Sequence, residues 1–112
     1  MNRDKFNELL DEIRKASIDT LVAKNAEYSK GTDDPLHNFN EGAAMDDSTP
    51  AQACWGYLTK HLVALRDKVK RNDFSDRDDL MEKCKDTINY VCFIWCIAND
   101  ELKEKGDENE GD

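Results

Sequence analysis

The stretch LMEKCKDTINYVCFIWCIA, residues 80–98, decides the fold of this chain. Apolar or small residues recur in it at every third or fourth position, which is the spacing of one helical face: Leu80, Met81, Cys84, Ile88, Val91, Trp95 and Ala98. Its second half, residues 90–98, is apolar on all sides of that helix, so we expect protein to enclose it. The run is too short to span a bilayer, which takes about 20 apolar residues.

Two further long helices are predicted before this stretch. The first runs from about residue 4 to residue 28, because apolar positions from Phe6 to Leu21 keep the helical spacing, and Gly31 then breaks it. The second begins at TPAQ, where Thr49 can cap, Pro50 suits the first helical position and Gln52 completes a capping box. We expect it to end at residue 71 or 72, and a short helical turn in NEGAAM, residues 40–45.

The third helix is expected to be capped by Ser75 and to stop at Gly106. We predict one all-α domain over residues 1–105, a helical bundle of three long helices and one or two short turns. The final residues 106–112, GDENEGD, have nothing apolar to bury and are expected to form a disordered acidic tail.

Three helices do not easily cover the apolar residues 90–98 on every side. The large side chains of Trp55, Tyr57 and Trp95 would add several kcal/mol if they were buried between subunits. We therefore expect a symmetric homodimer or a higher homo-oligomer.

Composition limits the partners and the compartment. The formal net charge is −9, which makes nucleic acid an unlikely ligand because an acidic surface repels phosphates. Four cysteines lie in helical patterns, no apolar leader precedes them, and no segment is long enough for a membrane span. We interpret the cysteines as small core residues and expect a cytoplasmic protein, in the host cytoplasm if it is encoded by a phage.

The end of the first helix is unexpectedly polar. On a helical wheel Lys24, Glu27 and Tyr28 fall on the same face as Leu10 and Ile13, where Leu or Ile would be typical. Burying a charged group is costly unless it is paired or bound to a metal, so this pattern indicates polar partners across the helix interface. A structural ion pair with the third helix, or an exposed and fraying last turn, are the alternatives.

Two other positions carry candidate chemistry. Glu82, Asp86 and Asn89 form a narrow stripe on the third helix, next to its apolar half, where paired acids can hold a cation. A solvated helix face explains the same acids without a function. Lys60 and His61 are adjacent on the second helix, where a hydrogen-bonded core histidine and a surface lysine are the simpler interpretation.

These residues resemble a known family. The order of EYS at residues 27–29, NF at 38–39, KH at 60–61 and ExxxDxxNY at 82–90 is similar to small phage-type members of the MazG-like superfamily of all-α nucleoside triphosphate pyrophosphatases. The resemblance covers roughly residues 6–98. It implies a helical bundle, usually a dimer or tetramer, in which acidic side chains bind Mg²⁺, or Mn²⁺, that carries the triphosphate.

The resemblance also implies residue roles. Glu82 and Asp86 match the acidic pair of the later motif, and Glu27 is a candidate further metal ligand. Lys24, Lys60 and His61 are the candidate catalytic side chains, the lysines by adding positive charge near the phosphates. The candidate substrate-binding residues are Asn38, Phe39 and Asn89.

This sequence departs from the family pattern in two places. The second helix has lysine and histidine where the family has an ExxE metal motif, and the acids of the third helix are four residues apart rather than three. The expected activity is hydrolysis of a nucleoside or deoxynucleoside triphosphate to a monophosphate and pyrophosphate. The alternatives are a family member without hydrolysis, and a non-catalytic acidic helical protein that binds a host or phage partner, including a DNA mimic.

Overall fold

The structure, a computed structural model, describes residues 1–28 and 33–110, and the side chains of residues 1–25 and 33–102. Every regular element in these ranges is helical, which confirms the all-α fold: α1 Arg3–Arg14, a π-helical segment Lys15–Asp19, α2 Thr20–Tyr28, α3 His37–Asp46, α4 Pro50–Lys70 and α5 Arg77–Glu110. None of the described helices is both long and apolar enough to cross a membrane.

Helices α4 and α5 form an antiparallel hairpin that is the centre of the fold. Cys54 near the start of α4 lies beside Tyr90, with 3.6 Å between its Sγ and the Tyr90 carbonyl oxygen, and Lys68 near the end of α4 lies beside Asp79. The start of α4 confirms the predicted capping box. The Gln52 N–H donates to Thr49 Oγ1 at 3.1 Å and the Thr49 N–H donates to Gln52 Oε1 at 2.9 Å.

Helix α3 packs over this hairpin and completes the core. Phe39, Cys54 and Ile97 form the buried cluster, against which Leu36 packs. Only 7% of Phe39 is exposed, so it is a core anchor, and its predicted contact with a base stays a prediction. Of the cysteines only Cys54 is a core residue, where burial raises the pKa of its thiol to about 11, whereas Cys96 is exposed.

The first predicted helix is interrupted by the π-helical segment. The Ser17 hydroxyl donates to the Ile13 carbonyl oxygen at 2.6 Å, and the Thr20 hydroxyl donates to the Lys15 carbonyl oxygen at 2.8 Å. This wider turn rotates the residues that follow it about the helix axis by about 100°, relative to their positions in an uninterrupted α-helix. Lys24 is exposed, which contradicts a core-facing position and agrees with the alternative of an exposed last turn.

Both ends of the third predicted helix differ from expectation. Helix α5 is capped by Asp76 rather than Ser75, since Asp76 Oδ1 accepts the Asp79 N–H at 3.1 Å. The predicted stop at Gly106 is also wrong, because α5 continues to Glu110. A single glycine costs only about 1 kcal/mol relative to alanine, and the neighbouring Glu and Lys residues are good helix formers.

A buried lysine joins the two helices of the hairpin at their connection. Only 7% of Lys68 is exposed, and its Nζ lies 2.6 Å from Asp79 Oδ2 and 3.1 Å from the Asp73 carbonyl oxygen. The hydrogen bond to Asp79 raises the pKa of Lys68, and it also lowers the pKa of Asp79. The ammonium therefore fixes the loop between α4 and α5 to the first turn of α5.

Substitution of this lysine is expected to destabilise the fold. Lys68→Met keeps the length of the side chain but leaves the part-buried Asp79 without its closest cation, so we expect the melting temperature to fall by at least several degrees. Circular dichroism melts of this variant and of Lys70→Met, an exposed lysine on the same helix, provide the measurement. Equal melting temperatures for the two variants would contradict the role of Lys68.

Acid should weaken the fold through two carboxylates. Hydrogen bonds from Arg77 and Lys68 lower the folded-state pKa values of Glu12 and Asp79 below their ordinary 4.5 and 3.8. Their contribution to stability is therefore complete above those ordinary values and is lost as the pH falls through the lowered folded-state values. Urea unfolding at about pH 7 and about pH 3 should show this loss, and Arg77→Met should reduce it by removing the partner of Glu12.

Candidate functional site

A cavity of about 450 Å³ lies between α2, α3, α4 and α5. Each of these four helices contributes to its wall, although they are distant in sequence. The residues that line it include Leu21, Asn38, Phe39, Glu41, Tyr57, Asp86, Asn89, Tyr90 and Phe93. Four of the nine predicted site residues, Asn38, Phe39, Asp86 and Asn89, therefore meet in one cavity.

The entry to α3 places two of these residues. Asp34 Oδ1 accepts the Leu36 N–H at 2.9 Å, and Asp34 Oδ2 accepts a hydrogen bond from Asn40 Nδ2 at 2.9 Å. These bonds fix the turn that starts α3, so the first turn of the helix presents Asn38 to the cavity and Phe39 to the core.

Aromatic rings form the apolar part of the wall. The centroids of Phe39 and Phe93 are 4.9 Å apart, and those of Tyr57 and Tyr90 are 6.2 Å apart. Contacts of this kind hold the rings in fixed relative orientations. The wall is therefore a preformed aromatic surface that suits a flat ligand.

Asp86 forms the polar edge of the cavity next to these rings, and His61 lies beside it but outside the cavity wall. His61 Nδ1 lies 3.8 Å from Asp86 Oδ2, and the His61 ring is stacked on Tyr90 with 4.8 Å between centroids and 23° between planes. Each side chain of the pair is 31% exposed, so both can meet solvent or a ligand.

Asn89 contributes an unusual polar group. Within the described part of the chain, its Oδ1 is buried and accepts no hydrogen bond. An unsatisfied buried acceptor costs about 1–3 kcal/mol, so a ligand that donates a hydrogen bond to it would recover free energy.

The other predicted site residues lie elsewhere. Glu82, one turn before Asp86, is exposed and is not part of the cavity wall. Lys24 and Lys60 are also exposed and outside the wall, and the half-buried His61 is likewise not among the lining residues. The side chain of Glu27 is outside the described residues, so its predicted role as a metal ligand stays a prediction.

The donor set of the cavity suits a hard cation, although it is incomplete. Its charged groups are the Asp86 and Glu41 carboxylates, and Mg²⁺ prefers oxygen ligands of this kind. Among the described side chains no three His, Cys, Asp or Glu residues come together as a metal-binding group. Asp86 is therefore the described residue that best fits a metal ligand, and waters and phosphate oxygens would fill most of the coordination sphere.

The wall residues that sequence reasoning missed include the polar side chains Glu41, Tyr57 and Tyr90. Glu41 follows Asn38 by three positions and Tyr57 precedes His61 by four, so each shares a helical face with a predicted residue. Tyr90 also had a signal, because it ends the ExxxDxxNY motif at residues 82–90, directly after Asn89.

Comparison of the chain with protein-family models, with characterised proteins and with solved structures found no match.

Proposed function

We propose that this protein is a nucleoside triphosphate pyrophosphohydrolase of the MazG-like type, which uses Mg²⁺ or Mn²⁺. Its reaction would convert a nucleoside or deoxynucleoside triphosphate to a monophosphate and pyrophosphate, in phage nucleotide metabolism. The observation that supports this most is the meeting of Asp86, Asn38, Phe39 and Asn89 in one cavity. Asn38 and Phe39 lie on α3, Asp86 and Asn89 lie on α5, and the sequence predicts all four as metal or substrate ligands.

The roles of the side chains follow from their positions. Asp86 would hold the metal at the polar edge of the cavity, and the ion would supply charge neutralisation for the phosphates and activation of a water molecule. In the proposed reaction water would attack the α-phosphorus, the bond to the bridging oxygen of the β-phosphate would break, and pyrophosphate would leave. His61, 3.8 Å from Asp86 and held against Tyr90, accepts the proton that the water loses.

The exposed lysines have a secondary role in this proposal. Lys60 is next to His61 in the chain and points outside the cavity, where it can meet phosphates that remain in solvent. Lys24 on α2 is exposed in the same way.

The test is a panel of the common ribo- and deoxynucleoside triphosphates with Mg²⁺, followed by pyrophosphate release. Release of pyrophosphate and a nucleoside monophosphate from at least one substrate is the expected result. Release of single phosphates instead would indicate a different phosphohydrolase. No turnover with any nucleotide would favour the non-catalytic alternative.

A non-catalytic interaction protein is the second candidate, because several apolar side chains remain exposed on a strongly acidic chain. The two candidates respond differently to ligands. A nucleotide with Mg²⁺ that binds the folded state raises its melting temperature by mass action, whereas a pure protein-binding surface does not respond in this way.

We further propose that the chain is a cytoplasmic homodimer or higher homo-oligomer. On α4 and α5 the residues Trp55, Leu62, Val91, Trp95 and Leu102 are 57%, 38%, 52%, 70% and 65% exposed. By helical periodicity they share one side of the antiparallel hairpin, the side away from α3. We call this surface the tryptophan face.

The ends of the molecule support a two-fold, antiparallel arrangement. Glu12 of α1 bonds Arg77 at the start of α5, so the residues of α1 before Glu12 extend past that end of the hairpin. No residue of α1 is buried, and Phe6 and Leu10 are about half exposed. Helix α5 extends past the opposite end, beyond the start of α4. A second copy in the reverse orientation would place Phe6 and Leu10 of α1 against a partner helix.

A further inference from the structure

We propose that the cavity binds the nucleotide base and selects bases with an exocyclic amino group, cytosine and adenine, over the matching keto bases, uracil and hypoxanthine. This inference rests on the proposed function for the nature of the ligand. The selectivity itself is inferred from the hydrogen-bonding groups of the cavity wall.

The charged groups of the wall are all acceptors. Asp86 and Glu41 are carboxylates, and no lysine or arginine is present among the described residues that line the cavity. An ionised carboxylate can only accept hydrogen bonds. The wall also contains neutral donors, the amides of Asn38 and Asn89 and the hydroxyls of Tyr57 and Tyr90, but its charged groups favour a ligand edge that brings donors, and an amino group brings two where a keto oxygen brings none.

Asn89 strengthens this preference. Its buried Oδ1 has no donor within the described structure, so the amide oxygen loses no hydrogen bond when the side chain turns toward a ligand. An amino group that donates to it satisfies the acceptor, while a keto oxygen in the same place leaves it unsatisfied and adds repulsion between two acceptors. Sites with buried polar groups discriminate strongly for this reason.

The shape of the cavity fits a base. Phe39 and Phe93, with centroids 4.9 Å apart, and the Tyr57 and Tyr90 pair supply flat apolar surfaces. A cavity of about 450 Å³ is in the usual range for small-molecule sites and has room for a base and sugar.

The triphosphate is expected to stay at the polar edge. Two carboxylates in the wall repel phosphates, so the anionic part of the ligand is stable only near Asp86 with a cation between them. This fixes the orientation of the nucleotide, with the base inside and the phosphates outside.

The experiment measures binding of four nucleosides without metal, by ligand-observed NMR titration at millimolar concentrations. Cytidine should bind at least about tenfold more tightly than uridine, and adenosine than inosine, since the lost bond to a buried acceptor is worth about this factor. Equal affinities within both pairs, a preference for the keto base, or no binding by any of the four would overturn the inference.

Two variants test whether Asn89 is responsible for the preference for cytidine. Asn89→Leu should bind cytidine and uridine with nearly equal affinity, because the acceptor is gone while the aromatic surface remains. Asn99→Leu, which changes an exposed asparagine on the same helix, should keep the preference. A preference that survives Asn89→Leu would remove Asn89 from the inference, and circular dichroism confirms that both variants are folded.

Nucleosides have no phosphate, so this assay is independent of hydrolysis. Selective nucleoside binding without any pyrophosphate release would uphold the base preference and contradict the hydrolase. Pyrophosphate release at equal rates from CTP and UTP, and from ATP and ITP, with no difference in nucleoside affinity, would uphold the hydrolase and contradict the base preference.

Discussion

Asp86→Asn is expected to lower pyrophosphate release by about a thousandfold, while the variant stays folded. The substitution keeps the size of the side chain but removes the charge that would hold Mg²⁺ and orient His61, 3.8 Å away. Loss of metal stabilisation of several kcal/mol in the transition state corresponds to a rate loss of about this size. The measurement is the rate of pyrophosphate release with saturating Mg²⁺, beside a circular dichroism melt.

Two matched variants serve as comparisons for Asp86→Asn. Asp46→Asn changes an exposed carboxylate at the end of α3 and should leave the rate unchanged. Glu82→Gln tests the second predicted metal ligand, which is exposed and outside the cavity wall. From that position we expect a smaller loss than for Asp86→Asn. Unchanged turnover in Asp86→Asn would remove the proposed site, whatever the other variants show.

Trp95→Asp is expected to convert the oligomer to monomers. Trp95 is 70% exposed in the single chain and lies within the tryptophan face, so a second copy would bury most of a large aromatic surface. Central aromatic residues of an interface contribute at least about 2 kcal/mol, and an unpaired buried carboxylate adds a further penalty. We expect the dissociation constant to rise by at least a hundredfold, measured by sedimentation velocity across a concentration series.

Val22→Asp is the control for this change. Val22 is 73% exposed, as Trp95 is, but lies on α2 rather than on the tryptophan face. This variant should remain oligomeric at the concentration at which Trp95→Asp is monomeric. A wild-type chain that is already monomeric at high concentration would contradict the interface directly.

Helix α4 shows how much of the fold local sequence can predict. Its start depends on Thr49 and Gln52, which bond each other's backbone within one turn, and the structure contains both bonds. Interactions within a turn need no information about the rest of the chain. The apolar spacing of α5 likewise predicted its helix, but the prediction of its core-facing side and of an enclosed run 90–98 is wrong within one chain, because Val91 and Trp95 are exposed and Ile97 is buried.

The first helix shows where this reasoning failed. A helical wheel assumes α-helical geometry throughout, and the π-helical segment Lys15–Asp19 shifts every position after it. The predicted face is moreover half exposed before this segment, at Phe6 and Leu10, and Lys24 after it is exposed too. The hydroxyl bonds of Ser17 and Thr20 accompany the wider turn, but Ser and Thr also occur in ordinary helices, so the sequence contains no clear signal of it.

The sequence by itself predicted the long helices and their approximate limits, because these depend on local spacing. It also predicted Asn38, Phe39, Asp86 and Asn89 as site residues, because each belongs to a short motif or to a stripe on one helix. Only the tertiary structure decided that those four share a cavity with Glu41, Tyr57 and Tyr90, and that Glu82 does not. The physical reason is the packing of α3 across the α4–α5 hairpin. That packing depends on contacts between distant residues, such as Phe39 with Phe93, whose pairing no local pattern specifies.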